Sequence, residues 1–125
     1  MGEQENLQVI QKLWKAFDDQ DFEAAGKLLH NDYVGHWPQT GEKVHGRENF
    51  VTINQHYPER WHTSILRLVA SGNQVVSEVK LEYQDEIVYA ISFFELLDGK
   101  ILKEADYWPE PYEPPAWRSE WVETD

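Results

Sequence analysis

Apolar residues recur at helical spacing through the first half of the chain and at alternate positions through most of the second. Ile10, Leu13, Trp14 and Phe17 stand at i, i+3, i+4 and i+7, which predicts an amphipathic helix with Asn6 placed to cap it. The polar run Asp18-Asp19-Gln20-Asp21 ends that helix, and Asp21 can cap a second one carrying Phe22, Ala25, Leu28 and Leu29. So short a link predicts a helical hairpin. Asp32–Trp37 reads as extended up to Pro38, Gln39–Glu42 as a turn, and Val44-His45 as a short returning strand. A third helix opens after Gly46 with Phe50, Ile53 and Tyr57 at helical spacing. Pro58 stops it, because the residue before proline is pushed out of the helical region.

From Trp61 onward the period becomes two. Strands are predicted at about 63–70, 74–83, 87–96 and 100–108, with hairpin turns at Ser71-Gly72-Asn73 and Asp98-Gly99. Helices followed by a mostly antiparallel meander give an α+β architecture, and such a sheet, if strongly bent, wraps the three N-terminal helices on its concave side with a central pocket between them. There is no internal repeat and no composition shift marking a boundary, so residues 1–125 read as a single domain. Residues 109–125 hold four of the six prolines and form a Pro- and aromatic-rich C-terminal strap. Its Pro111-Tyr112-Glu113-Pro114 fits the PxxP pattern, but the acidic surroundings suit few proline-binding modules. The strap's aromatics are expected to pack on its own domain or on a second subunit.

Composition narrows the function classes. A formal net charge of −12 repels phosphate backbones and anionic membrane surfaces, so no nucleic-acid or membrane partner is expected. No apolar run approaches a membrane span, and MGEQENLQ has no signal-peptide character. Asn6 stands where myristoylation requires Ser or Thr. With no cysteine there can be no disulfide or thiolate catalysis, and a reducing, cytoplasmic setting is the expectation. The five histidines form neither an HxH pair nor HExxH, so no metal site is predicted.

Candidate chemistry gathers on the last strand. Leu102, Glu104, Asp106 and Trp108 alternate onto one face, opposite Ile101, Lys103, Ala105 and Tyr107. If the first set faces the pocket, Asp106 sits beside Trp108 in apolar surroundings. Desolvation then raises its pKa toward an acid/base value. The alternative is a carboxylate held by a loop or paired with a base. On the preceding strand Ala90 and Ser92 are small inward-facing residues that leave room for a ligand, or for a bulky neighbour such as Trp14. His36 beside Trp37, and His62 beside Trp61, are candidates for the pocket mouth, whereas His30, His45 and His56 read as structural. The strand at 87–96 is apolar on both faces, with Ile87, Tyr89, Ile91 and Phe93 on the side helices cannot cover. That row predicts a homodimer through the outer face of the sheet.

The helical pair is followed by HNDYV at His30–Val34, HGRE at His45–Glu48, LVASGNQVV at Leu68–Val76 and DGKI at Asp98–Ile101. In this order and spacing the chain resembles the nuclear transport factor 2-like superfamily, and within it the SnoaL-like group that includes polyketide cyclases. The resemblance implies a cone-shaped fold whose first helix and first strand flank the cavity, which places Trp14 and Tyr33 in its lining. It also implies a general acid/base aspartate five residues past the isoleucine of DGKI, at Asp106. The pocket histidine of those cyclases corresponds to Ser92. The tyrosine and two aspartates of the related ketosteroid isomerases correspond to Leu13, Trp37 and Ala90. The function implied is cofactor-free acid/base chemistry on a small hydrophobic carbonyl compound, with Asp106 moving the proton. The alternative is a non-catalytic module of the same fold that binds a small hydrophobic molecule or dimerises.

Overall fold

The computed structural model describes residues 2–125. Helix α1 (Glu3–Asp18) buries Ile10, Leu13 and Trp14, the stripe its period foretold. Asn6 does not cap it. The helix begins three residues earlier, with Glu3 and Glu5 in the first turn where carboxylates favour the helix dipole. Asn6 instead lies buried inside α1 and donates from Nδ2 to the Gly72 carbonyl at 3.3 Å. Helix α2 (Phe22–Gly26) is capped by Asp21, whose side chain accepts from the Ala24 N–H at 3.1 Å. Helix α3 (Gly46–His56) ends at Tyr57, which is extended ahead of Pro58.

The strands are β1 (Leu29–Trp37), β2 (Glu42–His45), β3 (His62–Ser71), β4 (Gln74–Tyr83), β5 (Glu86–Leu97) and β6 (Lys100–Tyr107). They form one curled sheet in the order β2-β1-β6-β5-β4-β3. All neighbours are antiparallel except β1 and β6, which run parallel. The parallel join sets β6 between β1 and β5, so both neighbours can reach its inward side chains. Helix α1 packs across β3 and β4, and α3 packs against β1 and β2. Tethers fix α1 to β3: the Thr63 N–H donates to Asp18 Oδ1 at 2.9 Å, and the Thr63 hydroxyl to the Trp14 carbonyl at 3.0 Å.

One strand departs from simple alternation. Leu96 pairs with Ile101 but Glu95 pairs with Lys103, so Leu102 is an extra residue on β6. This bulge returns Ile101 to the buried side with Glu104 and Asp106, whereas unbroken alternation had put it on the opposite face. Beyond β6 the strap runs without regular structure to a short 3-10 helix, Ala116–Trp121. Tyr112, Trp117 and Trp121 are 80%, 75% and 74% exposed, so its aromatics do not pack on the strap's own domain. Among the described residues no helix is long and apolar enough to cross a membrane.

Candidate functional site

Glu104 and Asp106 stand two positions apart on β6, beyond the bulge, and both point into the interior at less than a tenth of full exposure. Ser92 lies directly opposite Asp106 in the β5–β6 register, and its hydroxyl donates to Asp106 Oδ1 at 2.6 Å. From the other side, β1 contributes the Trp37 indole, donating to Asp106 Oδ2 at 3.2 Å. It also contributes the Tyr33 hydroxyl, donating to Glu104 Oε1 at 2.9 Å. Gly35, between them on the same face, is the residue paired with Glu104. A Cβ there would lie 2.5 Å from the Tyr33 hydroxyl oxygen. Glycine is therefore what lets the phenol lean along β1 to reach Glu104.

Two positions apart on one face of β6 and both buried, the two carboxyl groups perturb each other's titration. Burial, and then the charge of Asp106, push Glu104 well above the usual carboxyl range, which favours its neutral form. Burial raises Asp106 as well, but donation from Glu104, Ser92 and Trp37 opposes the rise and favours its ionised form. Burial and the neighbouring Glu104 push the Tyr33 phenol far above its ordinary value, so it remains a neutral donor. The cluster is thus two buried carboxyl groups with raised pKa values, of which Asp106 accepts from Ser92 and Trp37 and Glu104 from Tyr33.

This pair opens onto a cavity of about 490 Å3, a volume suited to a small organic ligand. Trp14, Tyr33 and Trp61 stand in its wall with Ala90, Ser92, Asp106 and Trp108. The Trp14 indole is fixed by donating to Ser77 Oγ at 3.1 Å. Trp108 meets Trp37 edge to face at 5.9 Å, and its backbone N–H donates to the Gln39 side chain. His36 and His62 are not in the lining. Strand alternation explains the first, since Tyr33, Gly35 and Trp37 point inward and His36 points away. His62 is exposed on β3, its Nδ1 3.5 Å from Asp18 Oδ1, while its neighbours Trp61 and Thr63 line the cavity. Among the described residues no group of His, Asp or Glu is arranged to hold a metal ion.

Sequence reasoning had not singled out Glu104 or the Trp37 indole. The Glu-Ala-Asp spacing on β6 was the available signal for the first, because i and i+2 on a strand share a face. Nothing local signalled the second, since Trp37 reaches Asp106 only through the parallel β1–β6 pairing.

The SnoaL-like domain family matches residues 10–104, about three quarters of the chain. The chain belongs to that family. No curated protein matches it by sequence. Among solved structures, a Kribbella flavida protein provisionally assigned as a ketosteroid isomerase is 32% identical. The alignment covers 98% of this chain and 91% of that one, with a TM-score of 0.94. An NTF2-like protein of unknown function from Burkholderia xenovorans is 29% identical over 98% of this chain and 97% of that one, with a TM-score of 0.85. A Jannaschia protein provisionally assigned as a SnoaL-like polyketide cyclase is 16% identical over 85% and 86%, with a TM-score of 0.75, and shares the fold. One scaffold thus carries different provisional assignments, and the site must decide function.

Proposed function

We propose that this SnoaL-like protein is a cofactor-free acid/base enzyme, of cyclase or isomerase type, acting on a small hydrophobic carbonyl compound. The observation that carries the reading is the buried Glu104–Asp106 pair, held by Tyr33, Trp37 and Ser92 and facing an aromatic-walled cavity. A proton on a carbon next to a carbonyl is already acidic, so a desolvated carboxylate suffices to remove it. Asp106 takes that proton, leaving an enolate. The pair, which holds one proton at rest, then holds two and returns one to the product. Ser92, Trp37 and Glu104 fix the orientation of Asp106. The isomerase-type residues are absent, with Leu13, Trp37 and Ala90 in their places. The provisional assignment of the Kribbella flavida relative nevertheless belongs to the same class of proton transfer.

The experiment is α-proton exchange. Small aromatic and cyclic ketones are incubated with the protein in deuterated water, and loss of the α-proton signal is followed by NMR. Catalysed exchange falling by about 10²-fold or more in Asp106→Asn is the expected result. A second reading rests on the same three donors, which lower the basicity of Asp106 in the manner of a structural carboxylate. In that reading the cavity binds its ligand without chemistry. Ligand-induced stabilisation with no exchange over background selects it.

The outer face of the sheet supports a homodimer. Ile87, Tyr89, Phe93, Leu97 and Tyr107 are exposed, and the strap's tryptophans leave them uncovered. A contiguous apolar row of this kind marks an interaction surface. A second copy using the same patch about a two-fold axis would cover it.

A further inference from the structure

The charge of the cavity wall is one-sided. Four of its residues are acidic: Glu42 and Glu59 with the buried pair Glu104 and Asp106. Among the described residues, no Lys, Arg or His lines it. The Asp106 carboxyl group therefore has donors in Ser92 and Trp37 but no counter-cation among the lining residues. Arg60 is the cation recorded against a lining ring, 5.7 Å over Phe22. It stands outside the lining, with its guanidinium donating to the carbonyls of Asn54, Gln55 and Tyr57.

The remaining wall is aromatic. Nine of the lining residues are Trp, Tyr or Phe. They meet at tilted or edge-to-face angles, as Trp14 does with Phe17, Phe50 with Tyr33, and Trp37 with Trp108. Rings inclined to one another present both faces and edges to the space between them, and an aromatic face attracts positive charge. A purely apolar ligand would need the rings but not the uncompensated carboxylate. An anionic ligand would meet repulsion from the wall and from the chain's net charge of −12.

We infer that the cavity selects organic cations: a protonated or quaternary amine on a small hydrophobic carbonyl compound binds in preference to the neutral molecule of the same shape. The ammonium group lies against the indole faces and supplies the counter-charge that Asp106 lacks. An ammonium group near the carbonyl also makes the neighbouring C–H more acidic. This inference rests on the cavity being the substrate site, but not on turnover.

The test compares three molecules of nearly one shape: choline, 3,3-dimethylbutan-1-ol and 3,3-dimethylbutanoate. Binding to the full chain is read by quenching of the wall tryptophans and by calorimetry. Choline should bind at least about tenfold more tightly than the alcohol, and the carboxylate most weakly. Asp106→Asn should bring choline to within about threefold of the alcohol, both measured on that variant. Glu104→Gln, which leaves the Asp106 charge in place, should keep the preference. Equal binding of choline and alcohol, or tightest binding of the carboxylate, overturns the inference while leaving the acid/base reading standing. So does failure of all three to bind while ketones still show Asp106-dependent exchange. If ketones neither bind nor exchange, the reading of the cavity as the substrate site falls, and the inference with it. Should Asp106→Asn not fold, the ranking on the unaltered protein decides alone.

Discussion

Replacing Glu104 by glutamine should flatten the pH dependence of stability. Glu104 is buried, and its folded-state pKa is raised well above 4.5, first by burial and then by the charge of Asp106. Between the unfolded and folded values the native chain holds one proton more than the unfolded chain. This group's contribution is therefore fully present below pH about 4.5 and is lost as pH rises through the folded value. The slope for one proton is about 1.4 kcal/mol per pH unit. From pH 5 to 7 the loss accumulates to at most about 3 kcal/mol, a large share of the roughly 5–15 kcal/mol that a domain possesses. A glutamine side chain still accepts from the Tyr33 hydroxyl and still donates to Asp106, so both contacts survive without a titrating proton. The residual effect of the amide is an offset independent of pH.

The assay is urea unfolding followed by tryptophan fluorescence, at half-unit steps from pH 5 to 8, on the native chain and Glu104→Gln. Taking the difference between the two chains cancels the titrating groups distant from Glu104 and leaves the Glu104–Asp106 pair. The difference should grow with pH at up to about 1.4 kcal/mol per unit, in favour of the variant, with m-values unchanged. Parallel curves would show that Glu104 does not hold the proton. The assignment of Asp106 as the ionised partner would fall with it.

Gly35→Ala should destabilise the chain by about 1–3 kcal/mol, because the new methyl meets the Tyr33 hydroxyl oxygen at 2.5 Å, and ketone exchange should drop with it. Urea midpoints and the exchange assay read the two effects, and unchanged values in both would mean that Tyr33 need not lie along β1. Trp14→Phe removes the hydrogen bond to buried Ser77 and should cost about 1–2 kcal/mol. A double-mutant cycle with Ser77→Ala checks it, the coupling vanishing if the contact carries no energy. Sedimentation equilibrium at micromolar concentration should give twice the chain mass of 14.8 kDa, falling to that single mass in Phe93→Glu. A native chain at 14.8 kDa would refute the dimer.

The α+β architecture was legible because its signals are local. Periodicity located α1 and the four strands of the meander, Asp21 announced its cap, and Pro58 set the end of α3. The misses lie where a distant element decides. Asn6 has a capping side chain, but the acidic first turn and burial against the β3–β4 turn at Gly72 draw it inside the helix. The bulge at Leu102 has no marker residue of its own. It exists because β5 and β6 must change register, and it alone brings Ile101 to the same side as Glu104. The parallel pairing of β1 with β6 joins residues about 70 positions apart, and no turn encodes it.

The candidate site repeats that division with a chemical consequence. Asp106 could be singled out because a resemblance counts residues from a landmark. What such counting cannot supply is the protonation state of the residue it finds. Here that state is set by Glu104 two positions earlier and by donors on two neighbouring strands. The resemblance sets Ser92 against the pocket histidine of the cyclases, and read alone it is only a small residue that leaves room for a ligand. In the fold it is the donor opposite Asp106, at 2.6 Å. A histidine in that place can bring a positive charge to the carboxylate, whereas a serine brings only a hydroxyl. With serine there, no cation stands among the described residues that line the cavity. That shortage, rather than the position of any single acid, gives this pocket its chemical character.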